Sequence, residues 1–484
     1  MKTLSNSGYK VPKEDLDPET ILEVQKELTV RPNTFGDYGD PTKKETKFPV
    51  YRESSSKFYL PRFYGQEKFG LPDETRFKEP CKITMPFKGS LRKEQEPIVQ
   101  LYLDSVKDTG GGIISLKCGG GKTVLALYIA SILSLKTIVL VHKDFLMTQW
   151  RDRILEFLPE AKIGKVQQGT IDIAGKDIVL AMVQSISIKD YPKDTFSSFG
   201  LSIFDECHHL GAEVFHRSMG KVATKYSLGL SATPQRKDGL RRVFEWYIGP
   251  TVYVSKEKNE DYIEVRIHEY THESTSYNKA ELLYNGKPCF ARMINNVCSF
   301  EPRQKFINEL VIKEHGQGRK ILILSDRREY LDLTMAALNE RIYEGVAGLY
   351  VGGMKPHQLR ESQEKDIILG TFSMASEGMD IPKLNTIVLA SPKSDVVQSV
   401  GRILREKADK RQFHPLVIDI KDCHANLRSF GNQGDKRLKF YHRQNYEVTS
   451  FALDGQETRI EKKKIGRKPK EIPGYEMECL LDED

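Results

Sequence analysis

The chain has no run of eighteen or more apolar residues, so a transmembrane helix of the usual length is excluded. Its first stretch, Met1 to Glu19, lacks the apolar core of a secretion signal. No two of its seven cysteines are spaced Cys-x-x-Cys, and the number is odd. Both facts argue against a disulfide framework or a zinc cluster and for a reducing, intracellular compartment. Charge of one sign is not strongly dominant. A net charge of +7 permits nucleic-acid binding, and it is equally compatible with plain solubility. No short-period repeat is visible. The expectation is a soluble protein without membrane contact.

The remaining composition is that of an ordinary globular protein, with 39% hydrophobic and 29% charged residues. A chain of 484 residues exceeds one compact core and suggests about three domains. Residues 1–88 are rich in Lys, Glu, Pro and Tyr and read as an N-terminal accessory domain. Within it, Ser56 to Gly65 alternates aromatic and basic residues. That pattern suits base stacking beside phosphate contacts, and it equally suits a domain edge packed on its neighbour.

Residues 89–254 alternate short apolar runs with helical patterns, which implies a parallel sheet covered on both faces. Residues 255–300 are polar and aromatic and read as a linker or insert. The alternation resumes over 301–455 in a second α/β domain. Residues 456–484 read as a flexible tail, basic to Lys470 and acidic after it. The basic block suits a nucleic-acid arm, a localisation signal or a merely solvated tail. The expected fold class is α/β, with two tandem parallel-sheet domains behind a smaller N-terminal one.

Three groups of residues carry chemistry. In Lys117-Cys118-Gly119-Gly120-Gly121-Lys122-Thr123, glycines between a strand and a helix let backbone N–H groups crowd around phosphate oxygens. Lys122 would reach the β- and γ-phosphates and Thr123 would ligate magnesium. Leu116 stands where the usual phosphate-loop pattern has its first glycine. The alternative is a tight glycine turn beside a surface lysine.

Ile203-Phe204-Asp205-Glu206 ends an apolar strand in two carboxylates, at the edge where α/β sheets bind ligands. Asp205 would hold magnesium, and Glu206 would orient and deprotonate the attacking water. Alone, the pair could cap the next helix. His208 and His209 do not make a metal site, because adjacent histidines point apart and no third ligand is near in sequence. Ser231-Ala232-Thr233-Pro234 follows a strand and could hydrogen-bond the acidic pair, or be a plain turn. Gln398 to Arg405 sets Arg402 and Arg405 one helical turn apart, which suits a γ-phosphate contact or an exposed basic helix.

Taken in order, these residues resemble superfamily 2 helicases and translocases. Within them the XPB branch is most similar, with its phage UvsW type and the transcript-release helicases of poxviruses and other large DNA viruses. The matching residues are Leu91 to Gln95, Cys118 to Thr123, Gln149-Trp150, Gln184-Ser185, Asp205 to His208, Gly229 to Pro234, Gly370-Thr371, Glu377 to Asp380 and Gln398 to Arg405. They span residues 88–425. Arg236-Lys237-Asp238 departs from the Arg-Glu-Asp of that branch.

The resemblance implies two RecA-like domains with ATP and Mg2+ in the cleft between them. It implies that Arg92 and Gln95 recognise adenine, and that Cys118 to Thr123, Gly378 and Asp380 bind the nucleotide. Gln398, Arg402 and Arg405 would join Lys122 and Glu206 in catalysis. Gln184 and Thr371 would lie near the nucleic-acid backbone, with His208, Ser231 and Thr233 coupling it to ATP. The expected activity is a DNA helicase or translocase moving 3′ to 5′, in transcription or repair. Its partners would be single-stranded or duplex DNA, with RNA or a DNA–RNA hybrid as alternatives, and transcription or repair proteins. The expected location is intracellular, in the cytoplasm or nucleus, or in a virion or viral factory if the source is viral. An RNA helicase, a restriction-nuclease motor and a non-catalytic scaffold are the competing readings. The restriction motor lacks a convincing carboxylate–lysine nuclease cluster.

Overall fold

The computed structural model describes residues 1–31, 47–116, 119–192, 194–206, 212–231, 241–255, 262–379, 381, 383–404 and 411–460. At 212–215, 376–378, 398, 402 and 404 only the backbone is described. No helix among these residues is long and apolar enough to cross a membrane.

The N-terminal region builds a five-stranded sheet from β1 (Thr3–Ser5), β2 (Gly8–Pro12), β5 (Arg52–Glu53), β6 (Lys57–Leu60) and β7 (Glu74–Arg76), in the order β5-β6-β2-β1-β7. Beside it, β3 (Thr29–Val30) pairs with β4 (Phe48–Pro49). Its core holds Tyr9, Val11, Phe58, Leu60 and Tyr64. Phe58 and Tyr64 are therefore buried rather than presented to nucleobases, and the domain-packing reading of that stretch fits better. The same core takes in Val243 and Trp246 of the Arg241–Ile248 helix, which belongs to the next domain. Tyr64 meets Trp246 edge-on at 5.4 Å, and Tyr247 donates its hydroxyl to Val50 O at 2.7 Å.

The first α/β domain contains β8 (Gly111–Ser115), β9 (Thr137–Val141), β10 (Ile163–Gln167), β11 (Thr170–Asp172), β12 (Ile178–Met182), β13 (Leu201–Phe204), β14 (Tyr226–Ser231) and β15 (Thr251–Val254). Their order is β11-β10-β12-β9-β13-β14-β8-β15, parallel throughout except for the β10–β11 pair. Helices cover both faces and make two apolar cores. β8, β9 and β13 are buried along their whole length, which is why they read as mostly apolar runs.

The second sheet contains β16 (Glu264–Tyr270), β17 (Ile321–Leu324), β18 (Ala347–Tyr350), β19 (Ile367–Gly370), β20 (Thr386–Leu389), β21 (Leu416–Asp422), β22 (Glu447–Phe451) and β23 (Glu457–Arg459). Their order is β18-β19-β17-β20-β21-β16-β22-β23, and only β22–β23 is antiparallel.

Within the stretch 255–300, expected to be a linker or insert, the described residues 262–300 are part of the second domain. β16 lies inside the sheet between β21 and β22, and Met293, Val297 and Cys298 join the domain core. The strand escapes notice because polar residues alternate with Val265 and Ile267. Arg266 is neutralised by Glu264 at 2.6 Å and Glu314 at 2.7 Å. The domain also extends past 455, since Arg459 ends β23 and pairs with Glu447 at 2.6 Å.

Candidate active site

β8 leads through Leu116 to the glycine loop, and the loop opens the Lys122–Leu133 helix. Gly119 and Gly121 both have φ +77, a left-handed backbone that favours glycine. A Cβ at Gly121 would come within 2.4 Å of Gln95 Nε2. Gln95 is buried and bridges two segments: its Oε1 accepts from Arg92 N at 3.0 Å, and its Nε2 donates to Gly120 O at 3.0 Å. Arg92 Nη1 lies 3.5 Å from Gly119 O. The segment expected on the adenine side is thus tied to the phosphate loop. The helix N-terminus gives that loop a favourable field for anions.

Lys122 and Thr123 open the helix, and Lys122 Nζ lies 2.7 Å from Glu206 Oε1. Both side chains of that pair are largely shielded from solvent. β13 delivers Asp205, whose backbone N–H donates to Leu140 O at 3.1 Å. Its carboxylate accepts from Trp150 Nε1 at 2.8 Å and from the Glu206 N–H at 3.0 Å. Burial, then the Glu206 carboxylate, push the Asp205 carboxyl up to about 6, against Lys122, the Trp150 hydrogen bond and His142. Glu206 adopts φ +46, which costs a non-glycine residue about 1–2 kcal/mol. Strain of this kind concentrates where a side chain must be aimed.

Ser231 ends β14 and is buried, and its carbonyl accepts from Leu116 N at 2.9 Å. The register sets Phe204, which precedes Asp205, against Gly229, two residues before Ser231. Gln184, just past β12, donates to His142 O at 2.8 Å, over the end of β9. Thr371 follows β19 and caps the Phe372–Gly378 helix, its hydroxyl accepting from Met374 N at 3.4 Å. Gln398 falls in the short Val397–Val400 helix, and Arg402 in the 3-10 turn Gly401–Leu404 that follows, so no continuous α-helix carries both. Cys118, His208, Thr233, Asp380 and Arg405 lie outside the described residues, as do the side chains of Gln398 and Arg402.

One edge therefore gathers Gln95, the glycine loop, Lys122, Asp205 and Glu206. Trp150, one of the residues matched by the resemblance, has no role legible in the sequence and gains one here through its bond to Asp205. Trp150 belongs to the Asp144–Phe157 helix, whose Phe145 packs against the cores of both α/β domains.

Comparison with known proteins agrees with this architecture. Residues 88–236 match the family described as type III restriction enzyme, res subunit, and residues 302–407 match the helicase conserved C-terminal domain. The L396 protein of Acanthamoeba polyphaga mimivirus is 35% identical over 458 residues, covering 93% of this chain and 87% of that protein. The chain is a superfamily 2 helicase.

The helicase is also similar to the 161L protein of Invertebrate iridescent virus 6, at 25% identity over 91% of this chain and 98% of that one. A fragment assigned as an HsdR subunit of a type I restriction enzyme from Vibrio vulnificus shares the fold. Its TM-score is 0.53 at 19% identity, over 77% of this chain and 71% of that one. The two parallel sheets are RecA-like helicase domains. The helicase is accordingly a nucleic-acid-dependent ATPase.

Proposed function

We propose that this helicase is a DNA motor that hydrolyses ATP to move 3′ to 5′ on a strand, in transcription or in repair and recombination. The observation that carries the ATPase site is the Lys122–Glu206–Asp205 cluster beside the glycine loop. The loop N–H groups and Lys122 hold the nucleotide phosphates, and Arg92 and Gln95 hold its base. The donors fit magnesium, since the Thr123 hydroxyl and the Asp205 carboxylate are hard oxygen ligands. A bound magnesium ion would neutralise phosphate charge.

Glu206 orients water and takes its proton, once Lys122 exchanges part of its hold on Glu206 for phosphate. Gln398, Arg402 and Arg405 act from the second domain, with Gly378 and Asp380 on the nucleotide. Gln184 and Thr371 meet the nucleic-acid backbone. His208, Ser231 and Thr233 link that contact to the acidic pair. Residues 1–88 serve as an accessory domain.

The DNA reading is supported by the acidic segment Asp205-Glu206-Cys207-His208, which differs from the Ala-Asp ending of DEAD-box proteins. An RNA substrate is the second reading, because the name of the mimivirus relative calls it, provisionally, an ATP-dependent RNA helicase. ATPase rate measured against single-stranded DNA, duplex DNA and RNA separates the two. Stimulation by DNA is expected, with Lys122→Ala inactive on every strand. Stronger stimulation by RNA would replace DNA as the substrate.

A further inference from the structure

A cavity of about 380 Å³ lies between the N-terminal sheet and the first α/β domain. None of Gln95, Lys122, Asp205 and Glu206 lines it, so it is separate from the nucleotide site. Its size falls within the range of small-molecule sites, about 300–1,000 Å³.

Arg62, the first residue of the Arg62–Phe69 helix, lines this cavity and carries a charge that its surroundings do not balance. Its Nη1 donates to Lys225 O at 2.7 Å. Its Nε is buried with no hydrogen-bond partner among the described residues. No carboxylate among the described residues acts on the guanidinium, and burial lowers its pKa to about 10. A cation in such a place is costly unless an anion meets it. The backbone leaves room for the group, since a Cβ at Gly110 (φ +83) would strike it.

The rest of the lining repeats this imbalance. Arg52, Arg62, Arg217 and Lys221 line the cavity against one carboxylate, Asp190. Asp190 lies 3.6 Å from Lys221 Nζ, with its side chain out in solvent. The surplus favours an anion of more than one charge. A phosphate monoester carries about −1.5 to −2 near neutral pH, and the planar fork of arginine matches its oxygens. The N-terminal wall is aromatic. Tyr59 and Phe77 line it, with Arg52 over the Tyr59 ring at 5.7 Å and Arg62 over the Phe77 ring at 5.8 Å. Rings beside guanidinium groups suit a flat apolar body joined to an anion.

We propose that this cavity binds a small phosphate monoester carried on a flat ring, with Arg62 on the phosphate and Tyr59 and Phe77 beside the ring. Bound there, the ligand touches both the N-terminal and the first α/β domain. The site is independent of the motor reading given above.

Isothermal titration calorimetry on the full chain tests it, with phenyl phosphate, guanosine monophosphate, inorganic phosphate and benzyl alcohol as probes. Phenyl phosphate should bind at least about tenfold more tightly than inorganic phosphate, which lacks the ring, or benzyl alcohol, which lacks the charge. Tighter binding of guanosine monophosphate than of phenyl phosphate supports a nucleobase as the ring, and the reverse order supports a simple aryl group. Arg62→Met should weaken phenyl phosphate binding about thirtyfold, the low end for losing a buried charge partner. Ala223→Phe puts a ring on the cavity wall and leaves every charge in place, and it should abolish binding. Lys122→Ala should bind phenyl phosphate as the wild type does. Circular dichroism checks that each variant folds; if Arg62→Met does not, Ala223→Phe decides. The proposal is overturned if phenyl phosphate does not bind, if benzyl alcohol binds equally well, or if either cavity variant keeps wild-type affinity. Loss of binding in Lys122→Ala would also overturn it, by placing the probe on the phosphate loop.

Discussion

Trp150 donates its indole Nε1–H to Asp205 Oδ2 at 2.8 Å, with both side chains buried. The bond favours the ionised carboxylate in a place where burial opposes it. Trp150 therefore eases ionisation of Asp205, the state that its proposed magnesium role requires.

Replacing the indole with Trp150→Phe keeps an aromatic filler and removes the donor. The magnesium concentration for half-maximal ATPase should rise about tenfold, a typical effect of losing a partner behind a metal ligand. Titrating activity against magnesium, with circular dichroism to confirm the fold, checks this. An unchanged magnesium requirement would show that the bond only packs the helix.

A second prediction concerns the core of the second domain. Arg437 grips Asp419, with Nη2 at 2.6 Å from Oδ1 and Nε at 2.8 Å from Oδ2, and Tyr441 donates to the same carboxylate at 2.9 Å. Arg437 also donates Nη1 to the Lys393 carbonyl, in the loop leading to the Val397–Val400 helix. All three side chains are buried. Arg437→Met leaves Asp419 ionised without its counter-charge and should cost about 3–5 kcal/mol. Urea unfolding followed by circular dichroism, which reports both α/β domains, measures it. A loss below about 1 kcal/mol would mean that water reaches Asp419 and relieves it.

The pH dependence of stability follows from His268 in β16. Its ring stacks on Phe451 at 5.0 Å and meets Phe306 edge-on. Burial, then the charges of Arg266 and Lys313, lower its pKa to about 4, and Asp419 opposes them weakly. The folded state therefore holds the ring neutral. Its contribution to stability is fully present above the unfolded value near 6.5 and is lost as pH falls towards 4. Over that window the unfolded chain takes up one more proton at this site. His268→Phe should flatten the fall in stability between pH 6.5 and 4.5 relative to wild type. Parallel curves for the two proteins would contradict the assignment.

Much of the fold is legible in the sequence, for a physical reason. Strands covered on both faces, such as Thr137–Val141 and Ile321–Leu324, are apolar at nearly every position, and the one buried hydroxyl, Thr137, donates to Leu135 O. β16 is not legible by that rule. Its Glu264, Arg266 and His268 are tolerated because ion pairs and ring stacking satisfy them, and such partners are distant in sequence. The N-terminal sheet is hidden for another reason: its strands run two to five residues, too short for a period to emerge. Within the site, the phosphate loop is recognisable despite Leu116, because Gly119 and Gly121 still supply the left-handed turns. Trp150 carries no such mark. A tryptophan in an amphipathic helix looks like core, and only its distance to Asp205 gives it a role.

In the proposed mechanism Lys122 holds the nucleotide while Glu206 acts on water. Measuring ATP binding and DNA-stimulated turnover side by side for wild type, Lys122→Ala and Glu206→Gln tests it most directly. Glu206→Gln should bind ATP within about threefold of wild type and lose roughly 10²–10⁴-fold in turnover, the contribution of a positioned general base. Lys122→Ala should lose both. Glu206→Gln turning over at the wild-type rate would contradict the account.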